Sequence, residues 1–228
     1  MKQIIDFCRR LDAYNNREWF NAHKEEYKEC KLRFETFVNG VIERIHKFDD
    51  TIGDLDISQC TYRIYRDTRF SANKAPYKVH FGAFIAPGGK KSGYSGYYFQ
   101  AGVPEAGYEH GCFLATGNYY AEPAVLRILR EDIDIDEEGE FAAAIAGAGA
   151  RGFALDTESM LKRIPKGYAA EHPRADLLRL RNFCLVKPVA PEYFTCQNTC
   201  RDLCNDFEST MPFLRLINRA VAYSKEQQ

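Results

Sequence analysis

Val79-His-Phe-Gly-Ala-Phe-Ile-Ala-Pro-Gly-Gly-Lys-Lys-Ser-Gly-Tyr-Ser-Gly-Tyr-Tyr-Phe-Gln-Ala-Gly-Val103 is the stretch that decides the fold. Val79, Phe81, Ala83 and Ile85 alternate with His80, Gly82 and Phe84, the period-two pattern of a strand with one face buried. Gly88 to Gly93 has the composition of a hairpin loop, and Tyr97 to Val103 reads as the returning strand. Pro104 to Gly107 turns again, toward a further strand over roughly Tyr108 to Thr116. Strands joined by such short connections are antiparallel neighbours.

Upstream the period changes to that of a helix. Ile4, Phe7, Cys8 and Leu11 mark a short amphipathic helix, and Asn16 is a suitable N-cap for a long one from Arg17 to about Lys47. Its apolar stripe runs through Trp19, His23, Tyr27, Cys30, Phe34, Val38, Val41 and Ile45, and Gly40 is a place for it to bend. Thr61 to Tyr65 is β-like. Downstream, Pro123 opens a helix to about Asp132, and a second spans Glu138 to Ala146. Short strands are expected near Phe153 and over Phe183 to Lys187. The tail from Pro191 is helical and divided by Pro212. Helices, then a run of strands, then mostly helices define an α+β fold. An antiparallel sheet, with a mixed one left open, is packed by a long N-terminal helix and C-terminal helices. No linker or repeat divides residues 1–228, which read as a single domain.

Bulk composition excludes several classes. The chain has 228 residues, is 45% hydrophobic and 14% aromatic, and carries a formal charge of −1. That length supports a core without disulfides or metal. The near-neutral charge argues against nucleic acid as the main partner. The N-terminus lacks a signal-peptide core, and the least polar run, Phe141 to Ala150, is about half a bilayer span. No membrane association and a cytoplasmic location are therefore expected. Cys8, Cys30, Cys60, Cys112 and Cys184 read as small buried hydrophobes of a reducing compartment.

The chemistry concentrates in Arg63-Ile-Tyr-Arg-Asp-Thr-Arg-Phe-Ser-Ala-Asn-Lys-Ala-Pro-Tyr-Lys78. Arg63, Arg66, Arg69, Lys74 and Lys78 face Asp67 alone, a local +4 in a chain of −1. In an extended segment Arg63, Tyr65, Asp67 and Arg69 share a face, and turn residues Ser71, Asn73 and Pro76 allow Lys74 and Lys78 to curl back. Converging guanidinium and ammonium donors suit a small anionic ligand bearing phosphate or carboxylate. Tyr65 and Tyr77 are placed to contact the rest of such a ligand. Asp67 and His172 are the only acid–base candidates. The alternative is a non-catalytic module in which the same charges form internal salt bridges, and nucleic-acid binding ranks third. No phosphate-loop motif is present.

Asn15-Asn-Arg-Glu-Trp-Phe20, Arg63-Ile-Tyr-Arg-Asp-Thr-Arg-Phe-Ser71, Lys74-Ala-Pro-Tyr-Lys78, Gly96-Tyr-Tyr98 and Pro165-Lys-Gly-Tyr168 with His172-Pro173 resemble a conserved hypothetical family, domain of unknown function 2461. The resemblance spans nearly the whole chain and implies a shared fold but no reaction, cofactor or ligand. Ala72-Asn73 departs from the more charged pair expected there, so an acid at that point is dispensable.

Weaker signals have simpler explanations. Asp132, Asp134 and Asp136 imitate the opening of a calcium loop, but Glu137 and Ala143 occupy the positions that need glycine and a bidentate glutamate. Cys196, Cys200 and Cys204 drift along one helix face and lack a fourth ligand, so packing is preferred to metal. No cofactor is implied.

Overall fold

The computed structural model describes residues 1–69, 73–105 and 110–227. At the N-terminus α1 (Lys2–Ala13) buries Ile4, Ile5, Phe7, Cys8 and Leu11. The expected long helix is two: α2 (Arg17–Ala22) and α3 (Lys24–Ile45). Asn16 caps α2 as expected, its side chain accepting from the Trp19 amide at 2.9 Å. The break falls at His23, not at Gly40. The His23 ring stacks on Trp19 at 3.9 Å and its Nδ1 lies 2.8 Å from the Trp19 carbonyl, which draws the residue out of helical geometry.

Among the described residues five strands follow, the last two interleaved with helices: β1 (His80–Ile85), β2 (Gly96–Gly102), β3 (Phe113–Asn118), β4 (Ala154–Leu155) and β5 (Phe183–Pro188). Their order is β1-β2-β3-β5-β4, every pairing antiparallel. After α4 (Ile57–Cys60), Thr61 to Tyr65 forms no strand, only bridges from Thr61 to Ala83 and from Tyr65 to Tyr77. Between β3 and β5 the chain also forms α5 (Pro123–Asp134), α6 (Glu140–Gly149) and α7 (Ala175–Leu178). A 3-10 turn (Pro191–Thr195), α8 (Thr199–Glu208) and α9 (Met211–Glu226) complete the tail, with Pro212 in the first turn of α9.

Strand alternation sorts the side chains into two faces. Phe81, Ala83, Ile85, Tyr97, Phe99 and Ala101 join one buried cluster with residues of α1, α3 and α8. Phe34 lies 5.5 Å from Phe81 and 5.8 Å from Phe99, and Phe207 lies 5.2 Å from Tyr97. Burying each such ring stabilises by about 2–3 kcal/mol. The buried Tyr97 hydroxyl donates to Asp49 at 2.8 Å, which satisfies both groups.

The opposite face, carrying His80, Gly82, Phe84, Tyr98, Gln100 and Phe113, borders open space. Gly82 pairs with Gln100 and Gly102 pairs with His80, so two positions of this face lack side chains. A Cβ on Gly82 would lie 2.8 Å from the Tyr98 hydroxyl, and one on Gly102 would lie 2.5 Å from His80 Cβ. Tyr98 and His80 lie close over these two glycines, an approach that only glycine permits.

Candidate functional site

This face is the floor of a trough of about 1540 Å³. Its β1 end is walled by an arm built from the basic segment. The Arg66 amide donates to the Pro76 carbonyl at 2.9 Å, and the Lys78 amide donates to the Ile64 carbonyl at 2.8 Å, so the two halves run antiparallel. Alternation then places Tyr65 and Tyr77 together on one side and Arg66 and Lys78 on the other. Asn15 holds the arm to the helical layer by pairing with both the amide and the carbonyl of Tyr77.

The five cations do not converge on one point. Arg66 donates through Nε to the Tyr77 carbonyl at 3.2 Å and through Nη2 to Glu105. Arg69 forms a two-point pair with Asp67 at 3.0 and 2.7 Å on the exposed tip of the arm. That hydrogen bonding holds the Asp67 carboxyl below its ordinary range. Lys74 donates to the Thr68 carbonyl at 3.0 Å. Arg63 is exposed and outside the trough lining, with no hydrogen bond or ion pair among the described residues. Ser71 lies outside the described residues.

Lys78 is different. It lines the trough, and its ammonium stands 5.2 Å from the centroid of the Tyr62 ring. It has no carboxylate or carbonyl partner among the described residues. Burial holds its proton affinity down, Glu105 acts in the opposite sense, and Arg66 and Arg63 add to the lowering. Lys90 approaches the same Tyr62 ring at 5.7 Å, but its ammonium is occupied by the carbonyls of Ser58 and Thr61.

Tyr77 is a core residue, its ring stacked on Phe20 at 3.9 Å and only 4% exposed. Tyr65 packs edge-on to Phe20 at 5.8 Å and keeps one side in solvent. Neither reaches the trough. His172 lies elsewhere: Nδ1 accepts from the Arg174 amide at 3.0 Å, and Nε2 is 3.3 Å from Asp134. It orders the loop that follows Ala169.

The residue that organises the site, Glu105, has no motif to announce it. Its carboxylate accepts from the Val79 amide at 3.0 Å, faces His80 Nδ1 at 3.0 Å and pairs with Arg66. Burial acts to raise its pKa. The hydrogen bonds from His80 and Val79, the charge that His80 carries when protonated and the charge of Arg66 outweigh that, bringing it down to about 2. The sequence does hold a trace of the site: placing Phe81 and Phe99 inward forces His80, Tyr98 and Gln100 outward together. Tyr98 donates to Gln100 Oε1 at 2.8 Å, and Gln100 Nε2 donates to the Gly111 carbonyl at 3.3 Å.

The other candidates have structural roles. Asp136 accepts the amides of Gly139, Glu140 and Phe141, fixing the start of α6. Cys204 faces the Val41 carbonyl, and Cys200 lies over Gly40, which seats α8 on α3. Among the described residues no group of His, Cys, Asp and Glu is arranged to hold a metal. No helix of the described residues is long and apolar enough to cross a membrane.

Fold and site define an α+β protein with one sheet face packed by helices and the other open as a polar-rimmed trough. The chain belongs to a conserved hypothetical protein family (DUF2461), whose model matches residues 3–215. No curated protein and no solved structure matches it.

Proposed function

We propose that the trough binds a small organic anion, with Lys78 as its charge anchor. The observation that carries this reading is a half-buried ammonium facing a cavity without a carboxylate of its own. Within the basic segment, Lys78 reaches the ligand and Arg66 braces the wall. Phe84, Tyr98 and Phe113 offer an apolar bed for the ligand body, and Gln100 adds a polar edge. Pockets that combine apolar lining with a few placed polar groups suit small molecules. Arg69, Asp67 and Lys74 belong to the internal-tether reading, since their hydrogen bonds are made within the arm. Eight free thiols, with Cys8, Cys60 and Cys112 deeply buried, support a cytoplasmic setting.

The test is a thermal-shift and titration panel of inorganic phosphate, phenyl phosphate and benzoate. Phenyl phosphate is expected to bind more tightly than inorganic phosphate, because its ring has the aromatic floor to rest on. Lys78→Met is expected to weaken binding roughly 10–100-fold, the worth of one charge-assisted hydrogen bond. If no anion shifts the melting temperature at millimolar concentration, or Lys78→Met binds as the parent does, the reading fails.

A further inference from the structure

We propose that His80 is an acid–base residue of this trough, and that the anion it serves is a dianion of the phosphomonoester type, bound with uptake of one proton at His80 Nε2. This rests on the anion-site reading above and adds the ligand's charge and the proton's location.

The geometry begins with Glu105. Its carboxylate faces His80 Nδ1 at 3.0 Å and is itself held by the Val79 amide and Arg66. A carboxylate so fixed selects the tautomer with hydrogen on Nδ1. The remaining nitrogen, Nε2, has no partner among the described residues, although the side chain is only 13% exposed. His80 is on the trough face of β1, between the inward residues Val79 and Phe81. Gly102 opposite it leaves the space into which the ring fits.

Charge decides the ligand class. At this end of the trough Arg66, Lys78 and Lys90 stand against the single carboxylate of Glu105, leaving two uncompensated positive charges. A dianion matches them and a monoanion does not. The remaining charged groups of the lining, Lys91 and Lys225 against Glu122, Asp156 and Glu158, sum to −1, and its other titratable side chains include Tyr62, Tyr98 and His110. Once the dianion lies beside Nε2, protonation of the imidazole turns that nitrogen into a donor to a phosphoryl oxygen. The proton comes from solvent, no covalent bond changes, and Glu105 stabilises the imidazolium from behind.

The experiment is calorimetric titration of phenyl phosphate at pH 7.5 in two buffers of different ionisation heat, with histidine ¹⁵N spectra of the same samples. The expected result is net proton uptake and movement of the His80 Nε2 resonance toward its protonated position. Phenyl sulfate, a monoanion of the same shape, is expected to bind at least about 10-fold more weakly. His80→Gln is expected to bind phenyl phosphate without that uptake, and the wild-type spectra stand on their own if this variant does not fold. Binding in the wild type without proton uptake, or with an unmoved Nε2 resonance, overturns the proposal while leaving the anion site intact. Equal affinity for phenyl sulfate overturns the dianion assignment. Absence of all binding removes the anion site itself.

Discussion

Replacing Glu105 by glutamine would show what the trough wall is made of. The carboxylate is 8% exposed and joins the Val79 amide, the His80 ring and the Arg66 guanidinium, itself 17% exposed. Two routes give similar magnitudes. Breaking a buried ion pair from one side costs about 3–5 kcal/mol, because the remaining charge has no counterpart. A carboxyl held at about 2 against an ordinary 4.5 corresponds to at most roughly 3 kcal/mol of stability at neutral pH, since part of the lowering requires a protonated His80. Because the folded-state value is the lower one, this stability is complete above about pH 5 and disappears as pH falls toward 2. Glu105→Gln is therefore expected to lose about 3 kcal/mol at pH 7, a melting decrease on the order of 10 °C for a chain of this size. The deficit should shrink steadily below pH 4.5. Urea unfolding at a series of pH values reads both quantities. Adding Arg66→Met should recover part of the loss, since the stranded charge goes with it. A loss below about 1 kcal/mol, or a deficit that stays constant with pH, would refute this account of the wall.

Two further outcomes follow from local geometry. Gly117 in β3 has φ +126°, and a Cβ there would sit 2.0 Å from the Phe183 carbonyl oxygen of β5. Gly117→Ala is expected to cost about 2–5 kcal/mol through backbone strain and overpacking, measured by chemical denaturation. The Cys200 thiol is lowered to about 7 by a hydrogen bond from Cys204, helped by Arg44 and against the effect of burial. Alkylation by iodoacetamide should thus have its midpoint near pH 7 at Cys200, and Cys204→Ala should move that midpoint upward. An unchanged midpoint in that variant would remove Cys204 as the cause.

What was legible in the chain follows the range of the forces involved. The α+β class, the first hairpin and its inward residues were readable because alternation and turn chemistry are local, and β1 and β2 obey both. Asn16 as a cap and Pro123 as a helix opener were readable for the same reason. The break at His23 was not, since it depends on one ring folding back over Trp19 inside an uninterrupted helical pattern. The site was half legible. Charge density pointed to the arm, and Lys78 does face the trough. Pairing of Tyr65 with Tyr77 turned both rings toward Phe20, a consequence of arm register that no spacing rule supplies. Glu105 was illegible because its partners lie 25 and more residues away in sequence. His80 was no more legible as a site residue: the pattern showed only that it alternates with the inward residues of β1, and its pairing with Glu105 is equally distant in sequence.

The position of β5 has a consequence for how the chain assembles during synthesis. β1, β2 and β3 are neighbours in both sequence and space, while β5 joins β3 only after the whole segment from Tyr119 to Asn182 has been made. Closing so long a loop costs roughly 1–2 kcal/mol more in chain entropy than closing a ten-residue turn. On a ribosome the three-stranded meander therefore emerges with one lateral edge uncovered, and β3 waits there for its partner. Until β5 docks, that edge is the nascent protein's point of greatest exposure to foreign strands, and the place where a chaperone would have most to shield.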